Sequence, residues 1–359
     1  MKALVVTSKV RADRLVRPLE AAGVEVVCAH PPRGGLRGRL AWAYDVLRLA
    51  HVGGADVIFS HEPGPICTLL AMVGRQTGRP VLVRWRGDPW QEYDDLRAQS
   101  LTNALKIAIG HASLQICIEM SDVIVPVSRS LADSIAQHTG CPQHKLAPIP
   151  IAIDVERFSP VQDREALKAE LGYQGQRVIS LALIFQYLQK NAGLERFLPA
   201  LRAVVDAHDD VTVVIAGSGR LHADFERRHH ALLDHPRMVL PGWIDDLQPL
   251  LQGSDIFCHF SYFDACPNVI CEAWACGTPV IVNDYAPLLE NLTDGDTGHV
   301  LAEGASTDEC VAVFERLLLD AEHWHEMSAQ GRRWAQERFS YPVIGRRLLD
   351  ATRDALGSA

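Results

Sequence analysis

Between Ser261 and Val280 the chain sets Asp264, Asn268 and Glu272 ahead of Gly277 and Pro279. An apolar run ends at Phe260, and a loop bearing Asp264 follows. Helix signals begin at Asn268, a residue suited to N-capping, with Val269 next and Glu272 one turn inside. The helix is expected to stop at Gly277, where left-handed backbone is cheap, and Pro279 opens the next strand. A helix N-terminus at the end of a parallel strand is an anion site, and a pyrophosphate suits it. Asp264 and Glu272 cannot themselves hold phosphate. Ionised carboxylates accept from hydroxyls and fit a vicinal diol, so one ribose and one hexose would satisfy both. The same two acids also fit an ordinary ion pair between a loop and a helix face.

Such a site needs parallel strands to position it. Continuous apolar runs at residues 3–7, 24–28, 57–60, 81–85 and 123–127 read as strands, separated by helical stretches at 14–22, 40–50, 66–74 and 96–120. Hydrophobicity that is continuous within each strand implies a parallel sheet covered on both faces. After a further helix at 130–139, a Pro-rich passage containing Pro148, Pro150 and Pro160 marks a domain junction. The pattern then restarts with strands at 178–183, 211–216, 238–240, 256–259 and 280–282, and closes with amphipathic helices at 308–319, 322–338 and 342–356. The expected fold class is α/β, with two doubly wound, Rossmann-like domains facing across a cleft. Ligands in such sheets sit at the carboxyl ends of the strands. The expected domains are residues 1–155 and 156–341, with a closing helix at about 342–359.

At 359 residues, 48% hydrophobic and 22% charged, the chain fills two compact cores and shows no bias towards disorder. Its formal charge of -9 disfavours nucleic acid as a partner. Nine scattered cysteines without a Cys-x-x-Cys pair fit a reducing cytoplasm better than a disulfide framework or a zinc site. No signal-peptide pattern and no long apolar span are seen. The basic stretch Arg33 to Arg48, which includes Trp42 and Leu47, fits either a solvated helix face or peripheral contact with an anionic membrane at its inner face.

The segment around Asp264 and Glu272 resembles the signature of the retaining glycosyltransferases of family 4, which have the GT-B fold and carry a Glu-x7-Glu element. Here the first acid is Asp, shorter by one methylene. Further segments resemble the family in the same order: residues 121–128, 145–151, 154–160, the glycine turn with Gly217 and Gly219, and the loop from Glu290 to Gly298. The resemblance implies that Glu272 contacts ribose hydroxyls and Asp264 those of the donor sugar. It also implies that Lys190 meets the departing diphosphate, where catalysis of this kind gains most. Asn268, Val269, Gly217 and Glu290 complete the implied donor side, and the closing helix at about 342–359 is implied to pack back on the first domain. The family usually carries an Arg where Phe185 stands.

In the first half, Arg86, Gly87, Asp88 and Trp90 follow a strand at its carboxyl end, where many relatives place a His-Gly pair. Asp88 there fits orientation of sugar hydroxyls, or a local pair with Arg86, and Trp90 fits stacking on a pyranose. His61 follows another strand and fits an acceptor contact or a packed histidine. The implied activity is transfer of a sugar from a nucleoside diphosphate sugar, uridine favoured and guanosine the alternative, to a hydroxyl of a saccharide, lipid-linked glycan or natural-product aglycone. Neither a cofactor nor an essential metal is expected. A hydrolysing nucleotide-sugar epimerase on the same fold, and a binding module without catalysis, are the other readings.

Overall fold

The computed structural model describes residues 1–7, 12–30, 36–61, 63–99 and 103–357. The chain divides into two compact units, Met1–Ala152 with Phe339–Ala359, and Ile153–Arg338.

In the first unit the order is β1 (Lys2–Val6), α1 (Asp13–Ala21), β2 (Glu25–Ala29), α2 (Leu36–Val52), β3 (Val57–Ser60), α3 (Pro65–Thr77), β4 (Val81–Trp85), α4 (Pro89–Gln99), α5 (Ala104–Met120), β5 (Val123–Pro126) and α6 (Arg129–Thr139). The described strands form one parallel sheet ordered β2-β1-β3-β4-β5. β3 and β4 are buried along their whole length, as their unbroken apolar sequence requires of strands covered on both faces. The exception in β4 is Arg84, whose guanidinium donates to the carbonyls of Ile149 and Pro150 at 2.6 and 2.7 Å and so fixes the chain after α6.

Sequence periodicity joins residues 96–120 into one helix, but the structure has two. Asp88 accepts from the N–H of Trp90 at 2.9 Å and Pro89 takes the first helical position, so α4 starts there. Residues 100–102 lie outside the described set. The basic stretch Arg33 to Arg48 is likewise only partly described, with α2 beginning at Leu36.

The second unit continues with α7 (Arg164–Glu170), β6 (Arg177–Ile184), α8 (Leu188–Ala207), β7 (Val211–Ser218), α9 (His222–Arg228), α10 (His230–Leu233), β8 (Met238–Gly242), α11 (Gln248–Gly253), β9 (Ile256–His259), α12 (Asn268–Ala275), β10 (Val280–Asn283), α13 (Ala286–Leu289), β11 (His299–Leu301), α14 (Thr307–Leu319) and α15 (Ala321–Phe339). Its described strands are parallel in the order β11-β10-β9-β6-β7-β8. The chain starts in the middle of this sheet at β6, builds outward through β7 and β8, then returns to build the other half from β9. The direction of winding therefore reverses between β6 and β9, the place where sheets of this kind bind ligands. The core beneath it includes Ile179, Leu181, Phe197, Leu201, Val213 and Cys258.

The last helix, α16 (Tyr341–Gly357), packs on α1 in the first unit. Ile344 and Leu348 enter the core with Leu15 and Leu19, and a Cβ on Gly345 would lie 1.9 Å from the Pro18 carbonyl oxygen. Only glycine permits that approach.

Candidate functional site

Three contacts tie together the loops leaving β6 and β9. The rings of Tyr187 and Phe263 stack with centroids 4.2 Å apart. The N–H of Tyr262 donates to the Gln189 carbonyl at 3.3 Å. The ammonium of Lys190, in the first turn of α8, lies 2.6 Å from Oδ1 of Asp264. Gly193 makes this closeness possible, since a Cβ there would stand 2.6 Å from the backbone of Phe260 and Ser261.

Asp264 is held from both sides. Its other oxygen, Oδ2, accepts from the Ser261 hydroxyl at 2.8 Å and lies 3.0 Å from Nε2 of His259. Burial alone would raise this carboxyl. The hydrogen bond from His259 and the charges of Lys190 and His259 outweigh it and hold the group well below the usual carboxylate range. Asn283, at the end of β10, clamps Ser261 in turn. Its carboxamide accepts from the Ser261 N–H at 2.8 Å and donates to the Ser261 carbonyl at 3.2 Å. A carboxylate has about four lone-pair sites, and three donors already meet this one. Asp264, expected from sequence to meet a diol, is thus an anchored anion.

α12 begins at Asn268, but the capping position is Pro267, and no side-chain cap bond forms. Pro267 already holds extended backbone at φ -71 and ψ 122, so Asn268 becomes the first helical residue rather than the cap. Asn268 and Val269 are half-buried, and Glu272, one turn on, is 6% exposed. Gly277 ends the segment in the left-handed region at φ +73. Glu290 caps the C-terminal end of α13, the short helix after β10.

Gly217 closes β7 at φ +145, and a Cβ there would lie 1.9 Å from the Leu183 carbonyl oxygen. The turn keeps the ends of β6 and β7 together. Beside it Phe185 is fully buried, its ring 4.7 Å from that of His222 and 5.1 Å from that of Phe225. The position where the family usually carries an Arg is a core position here.

In the first unit, the sheet reverses between β1 and β3, and the N–H of His61 donates to the Val6 carbonyl at 3.0 Å across that point. His61 is buried, and Glu62 lies outside the described residues. Arg86 and Gly87 are half-buried at the end of β4. Asp88 has both oxygens engaged, Oδ1 capping α4 and Oδ2 accepting from the Ser134 hydroxyl at 2.6 Å. Trp90 is 7% exposed, with its indole stacked 4.4 Å from the His138 ring. The indole expected to stack on a pyranose is thus packed against the rings of His138 and Trp85. Asp88 works here as a helix cap and holds Ser134.

Sequence reasoning passed over His259, Ser261 and Asn283. A single polar residue ending the otherwise apolar strand Ile256–His259 was the available signal. Among the described residues no group of three His, Cys, Asp or Glu side chains is placed to hold a metal ion. Nor is any described helix long and apolar enough to cross a membrane.

Comparison with known proteins agrees with this architecture. The family described as Glycosyl transferase 4-like domain matches residues 2–152, and Glycosyl transferases group 1 matches residues 180–320. Spore coat protein SA of Bacillus subtilis (strain 168) is 24% identical over 257 residues, 67% of each chain. The GDP-mannose-dependent alpha-(1-6)-phosphatidylinositol monomannoside mannosyltransferase of Mycolicibacterium smegmatis is 28% identical over 240 residues, 64% of this chain and 62% of that one. The match thus spans somewhat under two thirds of the mannosyltransferase's length. In fold, the Anabaena protein Alr3699/HepE, solved in complex with UDP, superposes with a TM-score of 0.74 at 16% identity, covering 99% of this chain and 100% of that one. With two parallel-sheet units of this topology and the two family matches together spanning most of its length, the chain belongs to the GT-B glycosyltransferases of family 4.

Proposed function

We propose that the protein transfers a sugar from a nucleoside diphosphate sugar to a hydroxyl acceptor, with retention of anomeric configuration. The observation that carries this reading is the convergence of Lys190, Asp264 and the start of α12 with Glu272 on the loops beside the reversal point of the second sheet. A cation and a helix N-terminus suit a diphosphate there, while the two carboxylates suit hydroxyls of the sugar and the ribose.

In this account Glu272 accepts from the ribose, Asp264 from the donor sugar, and Lys190 neutralises charge as the C1–O bond to the diphosphate breaks. Asn268 and Val269 line the approach of the diphosphate to α12, with Gly217 and Glu290 on the flanking loops. The acceptor hydroxyl attacks C1 on the face the diphosphate leaves, and a phosphate oxygen takes its proton. The retaining course is what the resemblance of the Asp264–Glu272 segment to the family signature implies, and no metal is assigned a step. His61, Arg86 and Gly87 are proposed acceptor contacts, with Asp88 holding α4 in place behind them.

Uridine is the proposed base, supported by the complex formed by Alr3699/HepE, and guanosine is the alternative because the mannosyltransferase relative uses GDP-mannose. That relative's lipid-borne acceptor also supports a lipid-linked glycan as acceptor. The test is release of nucleoside diphosphate from a panel of nucleotide sugars with and without candidate acceptors, with the product's anomeric configuration read by NMR. Acceptor-dependent release with retention is expected. Equal turnover without any acceptor would point instead to a hydrolysing epimerase.

A further inference from the structure

Lys190 and Asp264 are paired with one another, although the proposed function needs each of them for a different part of the donor. The ammonium lies 2.6 Å from Oδ1, and both side chains are largely buried, at 13% and 16% exposure. The two ends of this pair are not equally fixed. Asp264 keeps two partners on Oδ2 if Lys190 leaves, namely Ser261 at 2.8 Å and His259 at 3.0 Å. Ser261 is itself clamped to β10 by Asn283. Lys190 carries its charge on a flexible four-carbon stem, so the lysine is the member that moves.

We propose that Asp264 Oδ1 stands in for a phosphate oxygen of the donor, and that donor binding exchanges Lys190 from Asp264 to the diphosphate. The inference rests on the reading of this site as a nucleotide-sugar site and adds an order of events to it. Before exchange, Oδ1 is occupied by an ammonium and is poorly placed to accept from a sugar hydroxyl. After exchange, Asp264 remains anchored through Oδ2, and Oδ1 is open to the sugar. Diphosphate and hexose recognition are thereby coupled, because a sugar lacking its diphosphate meets a closed acceptor. The internal carboxylate also competes with the product nucleoside diphosphate for Lys190, which favours its release.

The competition makes a prediction opposite in sign to that for a simple binding residue. Calorimetry on the full chain would measure affinity for UDP and GDP in the wild type, Asp264→Asn, Lys190→Ala and the double variant, with thermal unfolding of each as the check on folding. Asp264→Ser serves as a second variant should Asp264→Asn fail to fold. Removing the internal anion should tighten binding of the nucleoside diphosphate by about fivefold or more while transfer falls, and that gain should vanish in the Lys190→Ala background. Unchanged or weaker binding in Asp264→Asn would overturn the exchange. A gain that persists without Lys190 would also overturn it, since that would be plain relief of repulsion between Asp264 and phosphate. Absence of any nucleoside diphosphate binding by the wild type would instead remove the proposed function, and the exchange with it.

Discussion

The Lys190 ammonium and the Asp264 carboxylate, 74 residues apart in sequence, meet at 2.6 Å across the point where the second sheet reverses its winding. The contact joins the first turn of α8 to the loop after β9, so both loops report on one another. Replacing Lys190 by Ala should lower the transfer rate by about 10²- to 10³-fold, the scale seen when one donor to a developing negative charge is removed. Steady-state kinetics with a saturating nucleotide sugar would check this. A loss confined to KM would show that Lys190 binds the ground state and the transition state equally and does not speed the chemical step.

Glu272 sits one turn into α12 and is 6% exposed. If it accepts from ribose hydroxyls, Glu272→Gln should weaken binding of the nucleoside diphosphate by about 10- to 100-fold, the span of a charged hydrogen bond. Binding of inorganic pyrophosphate, which has no ribose, should hardly change. Titration of the two ligands against the wild type and the variant would separate the outcomes.

Acid should erode the stability that Asp264 supplies. Its carboxyl is held below the usual range in the folded protein, so its contribution is present above the unfolded value of about 4 and is lost as pH falls through the folded value. The difference in thermal stability between the wild type and Asp264→Asn should therefore be greatest near neutrality and shrink below about pH 4. Melting curves from pH 7 to pH 3 would show this. A difference independent of pH would mean that the ion pair contributes nothing net.

At the end of β4, Asp88 caps α4 through the Trp90 N–H and holds Ser134. Asp88→Ala should cost about 0.5–2 kcal/mol of stability, and Asp88→Ser, which retains a capping oxygen, should cost less. Transfer rates in folded Asp88→Ser near those of the wild type would mark the residue as a cap. A large loss of rate at full stability would return it to the substrate side.

The elements whose patterns are continuous were legible in the sequence. β3, β4 and β9 have the bounds that their apolar runs gave, because strands buried on both faces leave no ambiguity of period. Short elements were not legible. α7, with seven residues capped by Asp163, lies in what reads as linker, and the three-residue β11 is too brief to carry a pattern. The start of α4 lies seven residues ahead of the helical stretch at 96–120, although Asp88 and Pro89 form a start signal. At the site, the acids stood out by type and spacing, and the lysine through the family resemblance. The network that orients Asp264 did not, because His259, Ser261 and Asn283 act through loop geometry that no local periodicity encodes.

Thermal unfolding of the purified protein with UDP, GDP and their sugars, beside Glu272→Ala, tests the central claim most directly. A ligand at about 100 times its dissociation constant adds about 2.7 kcal/mol to stability. The nucleotide-sugar site predicts a clear rise in Tm with one base, lost in Glu272→Ala. No rise with any nucleotide, or a rise that Glu272→Ala leaves intact, would contradict it.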